Sequence, residues 1–379
     1  MSQPLTRMEI ERREQEFLAP YAALSSQSRG RVYPQAEHPL RTAFQRDRDR
    51  IIHSAAFRRL EYKTQVFIPH ERDHYRTRLT HTIEVAQISR TLARNLRLNE
   101  DLAEAIALVH DLGHTPFGHA GEDVLNDLLL DYGGFNHNRQ SLRVVDILEQ
   151  RYPNYPGLNL SFEVREGIVK HETSVKMNMA EFNPHQLPTL EASLVDIADE
   201  IAYNSHDIDD GLSSGLITFE DLKKGAFWKH FHFDADRNFL ALSDPQRRYK
   251  LVRQLVNKMA TDVISETQAR LNRFHVSDLS AVRNSSKKIC CYSEAMQYVV
   301  QDMKRLLSEK LYCHPRLVVL SDQAHRTIQV IFERIRRRPE VMPARFQQML
   351  EDEYPEIVIA DYIAGMTDRY AEKVYRELV

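Results

Sequence analysis

Glycine is scarce in this sequence, with 12 glycines among 379 residues, or about half the share of an average protein. Few glycines disfavour the many tight turns of β-rich folds and the glycine-rich loops that bind phosphate groups. Neither GxxxxGK nor GxGxxG occurs anywhere in the chain. A nucleotide site built on a glycine loop is therefore not expected.

Cysteine is also rare: the three residues at 290, 291 and 313 form no metal-binding spacing. A low, odd count is typical of a reducing cytosol. No apolar run reaches 18 residues, and the first residues are too charged for a signal peptide. With 51 basic and 54 acidic residues, the net charge of -3 gives no reason to expect strong nonspecific nucleic-acid binding. We expect a cytoplasmic protein with no membrane partner.

What the sequence has in abundance is apolar residues at helical spacing, which predicts an all-α fold. We expect an N-terminal helix and irregular link over 1–40, a helical core over 41–280, and further C-terminal helices over 281–379 packed on that core. Residues 41–69 predict one helix with a dense basic face that includes Arg46, Arg50, Arg58 and Arg59. Either a solvated face or an anion-binding face is compatible with this pattern.

The stretch from Asp101 to Glu122, DLAEAIALVHDLGHTPFGHAGE, stands out. Asn99 is a suitable N-cap for an apolar helix that ends at His110 and Asp111, before Gly113 and Pro116 break it. A buried histidine and aspartate are unfavourable unless something pairs with them. A divalent metal ion is the obvious partner.

Two other predicted helices carry matching residues. The helix over 78–96 places His81 on its apolar face, and the helix over 189–211 places Asp199 among isoleucines. Tyr203 and Asp207 follow Asp199 at intervals of four, so all three line one helix face. His206 and Asp207 form a second histidine–aspartate pair, which is an alternative metal pair without a matching upstream histidine.

The motif HDLGHTPFGHAGE, with RDRDRIIHSAAFRRLEYKTQVF before it and ADEIAYNSHDIDDG and GMTDRYA after it, resembles the bacterial deoxyguanosine-triphosphate triphosphohydrolase-like family. The resemblance runs from about residue 40 to the C-terminus and implies an HD-domain helical core. It also implies release of intact triphosphate from a deoxynucleoside triphosphate (dNTP). The implied metal ligands are His81, His110, Asp111 and Asp199. This mixed nitrogen and oxygen set suits Mn²⁺, Fe²⁺, Co²⁺, Zn²⁺ or, less comfortably, Mg²⁺.

The resemblance also implies roles around the phosphates. His119 and Glu122 match a pair that assists the attacking water or the leaving oxygen. His114 matches a position near the α-phosphate, and His137 is a candidate for a similar role. Arg78 lies one helical turn before His81 and can contact phosphate oxygens.

The family resemblance also implies that residues at three positions recognise the sugar. Gln65 and Asp207 match residues that bond the 3′-hydroxyl, and Tyr203 matches an aromatic ring beneath the sugar that excludes a 2′-hydroxyl. Two positions depart from a vertebrate relative: Glu200 replaces a phosphate-binding lysine, and His53 replaces an aspartate that reads a regulatory guanine. Arg247, Arg248 or Lys250 are candidates to replace the lost lysine contact.

The leading hypothesis is a metal-dependent dNTP triphosphohydrolase acting by water attack at the α-phosphorus. Another HD-domain phosphohydrolase, such as a 5′-nucleotidase or phosphodiesterase, is an alternative. A third is a scaffold that senses dNTPs or nucleic-acid ends through residues 41–69. We expect a dimer-based homo-oligomer, for which a hexamer is one candidate size. A nucleotide effector and single-stranded DNA are further candidate partners.

Overall fold

The computed structural model describes residues 4–65, 76–171 and 180–379. Within these ranges the chain forms helices and no β-strand, apart from three isolated bridges. The prediction of an all-α fold is confirmed. The α-helices are α1 Arg7–Phe17, α2 Ala43–Ile52, α3 Ala55–Arg59, α4 Arg78–Asn95, α5 Glu100–Val109, α6 His119–Leu128, α7 His137–Arg143, α8 Phe162–Val169, α9 Leu190–Ser214, α10 Phe219–Leu222, α11 Ala226–His230, α12 Arg237–Leu240, α13 Asp244–Arg273, α14 Leu279–Arg283, α15 Glu294–Leu307, α16 Pro315–Arg337, α17 Ala344–Met349, α18 Pro355–Ala364 and α19 Asp368–Leu378.

Helix α5 lies at the centre of the main hydrophobic core, packed against α2, α4 and α9. It begins where expected, because the Asn99 side chain accepts a hydrogen bond from the Leu102 amide at 3.2 Å. Just after it, Gly113 packs so closely that a Cβ there would lie 2.2 Å from the Ser141 amide nitrogen. The absence of a side chain at Gly113 thus lets α7 lie directly against the turn that carries the histidine–aspartate pair.

The basic segment does not form the single helix predicted for 41–69. It breaks between α2 and α3, where the Ser54 hydroxyl accepts from the Phe57 amide at 3.0 Å and caps a new helix. Arg50 is buried and donates to the carbonyls of Leu158 and Asn159. Local capping therefore overrides the apolar spacing, and part of the basic face is internal. Residues 66–69 lie outside the described residues.

A second hydrophobic core joins the C-terminal helices to α6. Val124 and Leu125 of α6 pack there with Ile328 and Phe332 of α16 and Ile363 of α18. The C-terminal part of the chain is thereby held against the helix that begins at His119. Residues of α15 belong instead to the main core, and the domain boundaries at 40 and 280 stay predictions.

No helix in the described ranges combines the length and apolar character needed to cross a bilayer.

Candidate metal centre and catalytic site

Three of the predicted metal ligands come together from three helices. His81 of α4, His110 at the end of α5 and Asp199 of α9 offer ligand atoms within 4.8 Å of one another. The Nε2 atom of His81 lies 2.8 Å from Asp199 Oδ1, and that of His110 lies 3.8 Å from the same oxygen. The packing of α4 and α9 on α5 therefore brings distant parts of the sequence to one point.

Asp111 lies at the edge of this cluster. Its Oδ1 atom lies 3.4 Å from His110 Nε2 and 3.1 Å from His114 Nε2. Its Oδ2 atom accepts a hydrogen bond from Arg78 Nη1 at 3.0 Å. All four predicted ligands are thus neighbours, and their role in binding a metal stays a prediction.

The protonation of His110 tests whether a metal fits here. Its Nδ1 atom lies 2.7 Å from the Ala107 carbonyl, which can only accept, so Nδ1 carries the hydrogen. Burial lowers the pKa of His110, which leaves a lone pair on Nε2. That buried Nε2 has no hydrogen-bond partner among the described residues and faces the carboxylates of Asp111 and Asp199. Lone pairs facing one another need a cation between them, so the residues fit a divalent metal.

The two carboxylates are ionised, as metal ligands must be. Burial alone would raise the pKa of Asp111, but the Arg78 guanidinium and the hydrogen bond from His114 outweigh it and hold that pKa well below its ordinary value. For Asp199, the nearby His171 ring and a hydrogen bond from His81 outweigh burial and likewise lower the pKa. The cluster therefore offers two anionic ligands and the Nε2 lone pair of His110, and His81 would release its Nε2 proton to become the second imidazole ligand.

His171 is a residue of this site that the sequence interpretation missed. Its Nδ1 atom lies 2.5 Å from Asp196 Oδ1, and its Nε2 atom lies 3.7 Å from Asp199 Oδ2. Burial would lower the pKa of His171, but the two carboxylates outweigh it and raise the pKa well above its ordinary value. His171 thus lies beside the Asp199 carboxylate and stabilises its negative charge. The only sequence signal for it is the pair Asp196 and Asp199, which share a helix face.

Beside the first cluster, Glu122 of α6 gathers histidines. The Nδ1 atom of His137 lies 2.9 Å from Glu122 Oε1, and that of His114 lies 4.0 Å from Glu122 Oε2. The rings of His114 and His137 stack at 4.0 Å. Burial would raise the pKa of Glu122, but the nearby His119 ring and the hydrogen bonds from His137 outweigh it and lower the pKa. Glu122 is therefore an ionised acceptor shared by several imidazoles.

His119 is the exposed member of this second group. Its side chain is 72% exposed, and its Nδ1 atom lies 3.6 Å from Glu122 Oε2. The nearby Glu122 carboxylate, an acceptor for the ring, raises the pKa of His119, so the protonated ring is stabilised. With Nδ1 facing Glu122, Nε2 is the nitrogen left to exchange a proton with a bound ligand.

A cavity of about 280 Å³ opens beside His119. Gln65 lines it, and the buried Oε1 of that side chain has no hydrogen-bond partner within the described ranges. Tyr203 also lines it, and the ring of Tyr203 stacks on that of Tyr312 with 6.2 Å between the ring centroids. The walls are formed by Thr64, Gln65, Phe117, His119, Ala120, Tyr203, Tyr312, Leu317, Leu320, Ser321 and Ala324.

Asp207 lies behind this wall rather than on it. The carboxylate is buried and accepts a hydrogen bond from the Tyr312 hydroxyl. Burial raises the pKa of Asp207 to about 7. The interpretation of the sequence missed Tyr312, which precedes a proline-containing turn far from α9, and no spacing signal connects the two segments.

Several other predicted basic residues are already paired with acceptors of the protein. Arg78 is buried against Asp111. Each candidate triphosphate-binding cation also contacts acceptors away from the cavity: Arg248 lies 3.2 Å from Asp209, Lys250 lies 2.7 Å from Asp236, and Arg247 donates to the Leu242 carbonyl.

Positions 200 and 206 are also paired. Glu200 forms an ion pair with Lys304 of α15. His206 pairs with Glu84, and burial lowers the pKa of His206 to about 4. The alternative metal pair at His206 and Asp207 is thus divided between two partners, Glu84 and Tyr312.

Comparison with known proteins gives the family. Residues 78–204 match the HD domain, and residues 290–377 match the phosphohydrolase-associated domain. A deoxyguanosinetriphosphate triphosphohydrolase-like protein of Geobacter sulfurreducens is 48% identical over 368 residues, covering 96% of each chain. A protein of the same name from Ralstonia pickettii is 50% identical over 368 residues, covering 95% of this chain and 94% of the relative. The chain therefore belongs to the deoxyguanosinetriphosphate triphosphohydrolase-like family of HD-domain phosphohydrolases.

Proposed function

We propose that the protein hydrolyses dNTPs to a deoxynucleoside and inorganic triphosphate. The observation that carries this proposal is the Nε2 lone pair of His110, which faces two carboxylates and has no hydrogen-bond partner in the described part of the chain, next to a cavity whose wall includes His119. A metal site adjoining an exposed, carboxylate-paired histidine suits the transfer of a phosphoryl group to water. The names of the relatives and their near full-length similarity support the nucleotide substrate.

His81, His110, Asp111 and Asp199 would hold the metal. When bound, a divalent ion at this position offsets phosphate charge and orients water and phosphate for in-line displacement. The protein contributes by fixing the ligands: Arg78 and His114 hold Asp111, and His171 supports Asp199. Such supporting contacts orient ligands and tune their charge.

In the hydrolysis, water attacks the α-phosphorus and the bond to the 5′-oxygen breaks. The oxygen of water stays with the triphosphate, and the 5′-oxygen leaves with the nucleoside. His119, whose pKa is raised by the neighbouring Glu122 carboxylate, donates the proton that the leaving oxygen needs. His114 and His137, stacked beside Glu122, lie where they can contact the α-phosphate.

The cavity would hold the sugar. Gln65 offers the 3′-hydroxyl an amide oxygen that has no partner among the described residues, and the Tyr203 ring fills the volume that a 2′-hydroxyl needs. Asp207 would act together with Tyr312, whose hydroxyl donates a hydrogen bond to the Asp207 carboxylate. A site that pairs its polar groups with one hydroxyl rejects analogues lacking that hydroxyl.

A matched pair of variants tests the metal set. Asp111→Ala should abolish both turnover and bound metal, because it removes an ionised ligand. Asp207→Asn, which alters another buried carboxylate outside the metal set, should keep the metal. Metal content by plasma mass spectrometry and dNTP hydrolysis are measured on the same samples. Full metal occupancy in Asp111→Ala would refute the ligand assignment.

The family resemblance also favours a homo-oligomer in the cytoplasm. Light scattering after size-exclusion chromatography tests the assembly.

A further inference from the structure

A single carboxylate of the C-terminal part of the chain holds two walls of the cavity together. Asp368, the first residue of α19, is 2% exposed. Its Oδ2 atom accepts hydrogen bonds from the amide and the hydroxyl of Thr64, and its Oδ1 atom accepts from the Phe117 amide at 2.9 Å. Thr64 and Phe117 both line the cavity.

A buried lysine makes a second connection at the same place. The Nζ atom of Lys63, which is 1% exposed, donates to the His114 carbonyl at 2.5 Å and the Ala364 carbonyl at 2.8 Å. Two successive residues, Lys63 and Thr64, are therefore bonded both to the loop that precedes α6 and to the C-terminal helices. Residues 63–64, the loop before α6 and the C-terminal helices therefore meet at this point behind the cavity.

The contact to Phe117 falls on an unusual piece of backbone. Phe117 has φ +63°, in the left-handed region that a bulky residue rarely adopts. Gly118 follows with φ +61°, and His119 then begins α6. A conformation of this kind persists only when its surroundings stabilise it. The hydrogen bond from the Phe117 amide to Asp368 is one such stabilising contact, two residues before His119.

We propose that Asp368 is a positioning residue for the reaction: it fixes the turn that aims His119 and, through Thr64, the neighbouring Gln65. The inference rests on the proposed function for the role of His119. It assigns the phosphohydrolase-associated region a direct part in ordering the active site, in addition to its packing against α6.

The first test is Asp368→Asn. Asparagine keeps the size of the side chain but has a single acceptor oxygen, so it cannot satisfy Thr64 and Phe117 together. We expect kcat to fall about 10- to 100-fold, the scale of a misplaced catalytic group, while bound metal is unchanged. Glu356→Gln is the matched control, because Glu356 is a buried carboxylate of the same region that pairs with Arg336 instead. It should leave kcat within about twofold, within experimental scatter.

A double variant separates positioning from general destabilisation. If Asp368 acts through His119, then Asp368→Asn should lower kcat little further once His119→Ala is present. An equal loss in both backgrounds would overturn the proposal. If His119→Ala alone leaves kcat unchanged, the proposed role of His119 fails instead, and the two failures are distinguishable.

Hydrogen–deuterium exchange supplies a readout that needs no activity. Asp368→Asn should speed exchange in peptides covering 63–65 and 115–119, and Glu356→Gln should not. Unchanged exchange in both peptides would also overturn the proposal. Should Asp368→Asn fold poorly, Thr64→Val removes only the hydroxyl bond and should give smaller changes in the same direction. Thr64→Ser, which restores the hydroxyl, should recover them; equal effects of valine and serine would count against the proposal.

Discussion

The hydroxyl of Tyr312 donates a hydrogen bond to the buried carboxylate of Asp207, a residue 105 positions earlier in the chain. The ring of Tyr312 also stacks on Tyr203. These three side chains therefore form one unit that joins α9 to the segment before α16. Any account of sugar recognition by Tyr203 and Asp207 has to include Tyr312.

Tyr312→Phe should shift the pH dependence of activity. Burial raises the pKa of Asp207 to about 7, and the hydrogen bond from Tyr312 opposes that rise. Without the hydroxyl, the pKa of Asp207 rises further and less carboxylate is present near neutral pH. If the carboxylate binds the 3′-hydroxyl, the acidic limb of the kcat/KM profile moves to higher pH. An unmoved profile would leave Tyr312 a packing residue.

Tyr203→Ala should reduce the preference for deoxyribonucleotides. The aromatic ring occupies the cavity wall, and its loss makes room for a 2′-hydroxyl. Assays of dGTP and GTP side by side should show a smaller ratio of the two kcat/KM values. Loss of activity on both substrates with an unchanged ratio would mean that Tyr203 only packs against its neighbours.

His119→Ala should keep metal and substrate binding and lose about 10²- to 10⁴-fold in kcat, the usual contribution of a general acid or base. Its exposed ring is paired with Glu122 and is not part of the cluster around His110. Metal content and dNTP affinity are measured beside the rate. Lost metal would instead make His119 a ligand.

Stability should depend on pH through Glu191, which lies at the start of α9. This buried carboxyl accepts from the Ala23 and Asn99 amides, and burial raises its pKa from 4.5 to about 7. Between pH 4.5 and about pH 7, Glu191 is protonated in the folded protein but ionised in the unfolded chain. This stabilisation is full below pH 4.5 and is lost as pH rises through 7.

Glu191→Gln removes that dependence. The free energy of unfolding of the variant, minus that of the native protein, should increase as the pH rises from 5 to 8, by up to roughly 3 kcal/mol. Urea unfolding at several pH values measures the difference. A difference that stays constant across this range would contradict the assigned titration.

The periodicity of the sequence was sufficient to predict α4, α5 and α9, because each has a continuous apolar face and an N-cap side chain. It was not sufficient for residues 41–69, where Ser54 starts a new helix within a pattern that looks continuous. Helix spacing could place His81, His110 and Asp199 on buried faces. It could not show which atoms approach, since that depends on how the three helices pack.

Contacts between distant segments are what the sequence interpretation missed. His171 follows α8 and reaches Asp199 only through the packing of α8 on α9. Tyr312 and Asp368 come from the C-terminal region and contact residues more than 100 positions earlier. No local pattern encodes such pairs, so a single sequence cannot reveal them.

Water attack at the α-phosphorus of a dNTP is tested most directly by isotope labelling. The purified protein is incubated with dGTP and Mn²⁺ in ¹⁸O-labelled water, and the products are resolved by ion-exchange chromatography and mass spectrometry. We expect deoxyguanosine without label and inorganic triphosphate carrying one ¹⁸O atom. Orthophosphate or pyrophosphate as the product, or label in the nucleoside, would contradict the account.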